Sequence, residues 1–175
     1  MVADDNDLTR TTSLAVDGSA GVSIPLPPSE IWDASPDGRL LLSVTPGRLH
    51  FTTLTGGHTT TGVRTFSLAS AILGDGSWSA GSGQVAAVLR EPDGSAHMAL
   101  LTAAHGLLPI GGTDGAMGNV VWDRAGSRFA YVGVNEGHRG RLQAMLCRLI
   151  PGGETVCRPW FSWLQGISLL RLTSP

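Results

Sequence analysis

The feature that most constrains this chain is a pattern that occurs three times. Residues 31–44 read IWDASPDGRLLLSV: an aromatic residue, a turn, then an unbroken apolar run. Trp78 and Trp122 open comparable stretches, WSAGSGQVAAVL and WDRAGSRFAYVGV. Trp32, Trp78, Trp122 and Trp163 are spaced by 46, 44 and 41 residues. A second set of segments repeats alongside them: GRLHFTTLTGG, SAHMALLTAAHG and RLQAMLCRLIPGG. A chain with such a period is built from like units, none of which can cover its own apolar faces alone.

The units are predicted to be β. Their apolar runs are five or six residues long, bounded by Gly and Pro, and partly β-branched or aromatic, which favours strand over helix. They hardly alternate, as Leu40-Leu41-Leu42 shows, so both faces of these strands are expected to be covered. Ser35-Pro36-Asp37-Gly38 reads as a turn, because Pro presets φ, Asp bonds its own backbone and Gly accepts positive φ. Strands are predicted over 39–44, 49–54 and 63–68, then 85–89 and 98–102, then 129–134 and 142–149. Residues 1–10 are polar and predicted to fray, residues 13–16 and 21–26 are short β-type runs, and Pro25, Pro27 and Pro28 exclude a helix there. Several strands per unit at a period in the forties predict an all-β chain, a β-propeller of about four blades in one domain spanning residues 1–175. Its units begin near Trp32, Trp78 and Trp122, and residues 11–28 and 158–172 are expected to pair as a composite blade that closes the ring. The rival readings are an open fragment of a larger ring and a subunit that completes its ring by oligomerising.

At these residues the chain resembles the TolB-type, WD-repeat-like β-propellers of bacteria. Trp32, Ser35-Pro36-Asp37-Gly38 and Leu54-Thr55-Gly56-Gly57 match that repeat best, and the later units keep Trp but lose Pro-Asp-Gly. The resemblance covers roughly residues 30–160 and speaks to fold alone. Trp32-Asp33 and Trp122-Asp123 open turns, unlike the WD dipeptide, which ends a strand. The resemblance implies a non-catalytic binding or scaffold module, a protein partner, and a place in the bacterial periplasm or cell envelope. The alternatives are a propeller-type hydrolase or lyase with its site at the axial channel, and a truncated piece of a larger propeller. Convergent carboxylates or histidines at a channel mouth would favour the enzyme. An apolar face rimmed by arginine would favour a protein partner.

Composition narrows the choices. All 12 basic residues are Arg, they are scattered, and the net charge is −2, so no basic stripe points to nucleic acid. No apolar run is long enough for a transmembrane helix, and the acidic start MVADDNDLTR lacks the apolar centre of a signal peptide. Without a Lys there is no phosphate-binding Gly-Lys-Ser/Thr loop. No catalytic, cofactor or metal residues stand out. LTAAHG, ending in His105-Gly106, resembles the histidine motif of trypsin-like proteases, but no nucleophilic Ser in a Gly-Asp-Ser-Gly-Gly setting follows it, and it aligns with the hairpin end at Leu54-Thr55. His50 and His97 occupy matching places in successive units, with Gln143 in the third, and His58 and His138 stand apart, which argues for scattered histidines over a metal cluster. Asp33, Asp37, Asp93, Asp114 and Asp123 mostly fall at turns, where Asp bonds the local backbone, and Asp75-Gly76 and Asp114-Gly115 lack the ligand spacing of a calcium loop. Three of the five tryptophans open units and are expected to pack, which makes Trp160 and Trp163 the pair to test for exposure. Cys147 and Cys157 flank a hairpin loop at Pro151-Gly152-Gly153. A disulfide fits that geometry, and two buried thiols are the preferred expectation.

Overall fold

The computed structural model describes residues 2–3, 10–12, 23–25, 30–55, 59–69, 71–81, 83–135, 141–150 and 154–162. The described residues form fifteen strands and no helix. The chain divides into two compact units, Met1–Ala69 and Ser70–Pro175.

In the first unit, β1 (Val2–Ala3), β2 (Arg10–Thr12) and β3 (Ser23–Pro25) pair in order as a small antiparallel sheet. A four-stranded antiparallel meander follows: β4 (Glu30–Ala34), β5 (Leu40–Thr45), β6 (Arg48–Thr55) and β7 (Thr59–Ser67). Leu41, Leu42, Leu49 and Phe51 are fully buried on its two interior strands. Pro46-Gly47 joins these strands as a tight two-residue turn, with Gly47 at φ 73°.

The second unit contains two further four-stranded meanders. One runs β8 (Ile72–Trp78), β9 (Val85–Arg90), β10 (Ala96–Thr102) and β11 (Gly106–Pro109). The other runs β12 (Ala116–Trp122), β13 (Arg128–Asn135), β14 (Arg141–Leu149) and β15 (Thr155–Ser162). The two sheets share one core. Val88, Met98 and Leu100 from the former meet Val120, Phe129, Tyr131 and Cys147 from the latter. This is why VAAVLR is apolar throughout: its first five residues are all buried.

The opening turns of the three meanders repeat with a constant step of 44 residues. The backbone N–H groups of Ser35, Ser79 and Asp123 each donate to a carbonyl five residues on, at Leu40, Gln84 and Arg128, closing the same turn. The pairs that end the first hairpin are Ala34 with Leu41, Trp78 with Val85 and Trp122 with Phe129. Ala34 therefore takes the place of the later tryptophans. Trp32 lies in a bulge, between the paired residues Ile31 and Asp33. The expected match of Trp32 with Trp78 is thus off by two, which accounts for the uneven spacing of 46. The same offset separates the histidines. His97 and Gln143 hold equivalent places, opposite Leu89 and Gly133, but that place in the first meander belongs to Arg48, not His50.

The structure corrects two further expectations. Cys147 and Cys157 form a disulfide instead of two thiols. The register of β14 and β15 sets them directly opposite each other with Cα atoms 4.0 Å apart. Residues 158–162 do not open a fourth blade; they pair with β14 as the last strand of the third meander. The remainder of that expected blade, residues 163–172, lies outside the described residues, as do 13–20 and 26–28 of its N-terminal half.

Candidate binding surface

The turns that open the first and third meanders engage Asp37 and Asp123. Asp123 is buried at the start of its turn. Its Oδ1 accepts from the backbone N–H groups of Ser127 (2.9 Å) and Arg128 (3.2 Å), and its Oδ2 accepts from Arg128 Nε (2.9 Å) and Ser127 Oγ (3.2 Å). Burial alone would raise the pKa of this carboxyl. The Arg128 guanidinium and the amide and hydroxyl donors outweigh it and hold the pKa below 3.8. In the first meander, the Ser35 hydroxyl donates to Asp37 (2.7 Å) and accepts from the Leu40 amide (2.9 Å). Asp93 accepts from the Ser95 amide (2.8 Å) in the turn between β9 and β10. Asp33 accepts from the next amide, that of Ala34 (2.7 Å). Asp114 lies exposed before β12. Asp75 reaches across to the backbone amide of Asn119 and sits against Gly118, where a Cβ would collide with the carboxylate. Asp37, Asp93 and Asp123 serve turns, as their place in the sequence implied, whereas Asp33 lies within β4 and Asp75 makes a contact between β8 and β12.

The described histidines are separate. His50 is buried between Thr45 Oγ1 and Thr65 Oγ1, each 3.0 Å from a ring nitrogen. Burial first, and then the charge of Arg48, lowers its pKa below 6.5, so the ring is neutral at pH 7. His97 lies 4.0 Å from the Glu91 carboxylate. His105 is exposed in the turn between β10 and β11, its amide bonded to Thr102 Oγ1 at 3.0 Å, as a hairpin end requires. His58, His138 and Trp163 lie outside the described residues, and Trp160 is 37% exposed on β15. Among the described residues, no group of three His, Cys, Asp or Glu is placed to hold a metal ion. No helix among them is long and apolar enough to cross a membrane.

The third meander carries a feature that the sequence reading did not locate. Arg128, Arg148 and Arg158 surround Leu146, Ile150 and Val156 in an open groove of about 630 Å³. Register explains the grouping. Arg128, Arg148 and Val156 lie in one row across β13, β14 and β15, and Ala130, Leu146 and Arg158 lie in the next. Because strand side chains alternate, all six stand on one face, while Cys147 and Cys157 point to the other, toward the core. Ile150 and Val156 are 39% and 46% exposed. The signal was present in LCRLIPGGETVCRP: each cysteine is followed by an arginine, so a register that joins the cysteines also aligns the arginines on the opposite face.

Compared with known proteins, the chain matches no family model and no curated protein.

Proposed function

We propose that this chain is a non-catalytic binding or scaffold module of the TolB-like propeller type, whose role is to hold another protein. The observation that carries this reading is the groove on β14 and β15, where exposed Ile150 and Val156 lie among three arginines. Exposed apolar side chains beside arginine are the composition of a protein-binding patch, since arginine adds hydrogen bonds and stacking area without the strong hydration of lysine. The carboxylates that a sugar-cleaving site would need are engaged instead in turn geometry at Asp37, Asp93 and Asp123.

The reading includes a ring of about four blades in which the three-stranded sheet β1–β3 is the blade short of one strand. Deleting residues 1–28 then abolishes cooperative melting, and an unchanged melting temperature overturns the ring. The binding role is tested with a photoreactive phenylalanine at position 156, with position 63 on β7 as the exposed control. In the native host, the probe at 156 yields one discrete protein adduct that the probe at 63 does not. A smear of adducts common to both positions overturns the reading.

A further inference from the structure

Resting on that binding role, we infer that the groove of the third meander takes an acidic, partly apolar segment of a partner protein. Three cations share this face. Arg128 and Arg148 lie directly opposite each other in register, and Arg158 lies diagonally across from Arg148. Like charges so placed repel each other. Arg128 is compensated by Asp123, whose carboxylate it meets at 2.9 Å. Arg148 and Arg158 have no ion pair among the described residues. The groove is therefore short of about two negative charges, and its two available guanidinium forks fit carboxylates in bidentate geometry.

The space between the forks selects the ligand further. Leu146, Ile150 and Val156 form an apolar floor between and beyond the arginines. A nucleic-acid backbone would neutralise the arginines but leave that floor uncovered, and a chain of net charge −2 gives polyanions no long-range attraction. A peptide segment that mixes carboxylates with aliphatic side chains satisfies both features at once. The groove lies on strands, and β14 and β15 are tied together by the Cys147–Cys157 disulfide on their other face, so the receiving surface is formed before the ligand arrives.

The probe is a fluorescein-labelled decapeptide of aspartate and leucine in equal numbers, titrated with the full chain and followed by anisotropy. Saturable binding is expected. It weakens about tenfold when asparagine replaces every aspartate, about tenfold for each of Arg148→Gln and Arg158→Gln, and progressively with added salt. Both arginines are exposed, so these variants keep the parent melting temperature. Equal affinity for the asparagine peptide, or no loss in either variant, overturns the proposal. Arginine-dependent binding of duplex DNA or of anionic vesicles, with none of the peptide, also overturns it. If the peptide fails while the probe at position 156 still captures one protein, the acidic chemistry is wrong and the binding role stands. If both fail, the binding role falls as well.

Discussion

Trp122 donates its indole N–H to the backbone carbonyl of Ser77 across 2.8 Å, and so joins the second and third meanders at their first strands. The ring packs on Phe129 with centroids 5.0 Å apart. Trp122→Phe keeps most of the packing and loses the donor, and is expected to cost about 1 kcal/mol. Trp122→Ala also leaves a cavity and is expected to cost about 3–5 kcal/mol. Urea unfolding of the two variants distinguishes these contributions; equal losses would show that the hydrogen bond, not the packing, is what matters.

The Asp123 turn makes stability depend on acid pH in a defined direction. Its folded pKa lies below 3.8, so the stabilisation is fully present above that value and is lost as pH falls through the folded pKa. Asp123→Asn is expected to lower stability by about 1–3 kcal/mol at pH 7 and by less at pH 2. Denaturant midpoints of both proteins between pH 7 and pH 2 check this, and parallel curves would contradict it.

His50 acts in a higher pH window. Its folded pKa is lowered from 6.5, so the folded state resists protonation. The associated stability is intact above 6.5 and declines as pH falls from there toward the folded pKa. His50→Gln removes that step while a side-chain amide can still meet Thr45 or Thr65. The difference between urea midpoints at pH 7.5 and pH 5 is expected to shrink in the variant.

Reducing the Cys147–Cys157 bond opens a loop of about ten residues, for which chain entropy gives about 2.5–3 kcal/mol. The melting temperature is expected to fall on adding reductant, and the Cys147→Ala/Cys157→Ala double variant to melt at the reduced value whether or not reductant is present. A melting temperature unmoved by reductant would contradict the structural role of the bond.

The sequence pattern made the interior strands of each meander legible, because burial on both faces leaves an uninterrupted apolar run such as VAAVLR. It did not reveal the first strands of the later meanders. β8 reads ILGDGSW and β12 reads AMGNVVW, which look like loops because glycine occurs where a strand former is expected. Packing supplies the reason. A Cβ on Gly76 would meet the Ala86 carbonyl and the Ala87 Cβ at 2.6 Å, and Gly118 adopts φ 144° beside Asp75. Both strands carry register shifts at these positions, and a bulge erases the period of two by which a strand is read. The turn roles of Asp37, Asp93 and Asp123 followed from residue type alone. The arginine groove did not, because its members come from three strands and meet only once the register is known.

The disulfide has a consequence for the opposite face of its own hairpin. A covalent tie between Cys147 and Cys157 holds β14 and β15 in one register, and a slip of one residue in β15 would turn Arg158 and Val156 away from the face that Arg128 and Arg148 occupy. The bond thus acts as a template for recognition. The backbone ladder sets which side chains the hairpin displays, and the bond locks that choice at the point where Val156 and Arg158 flank Cys157.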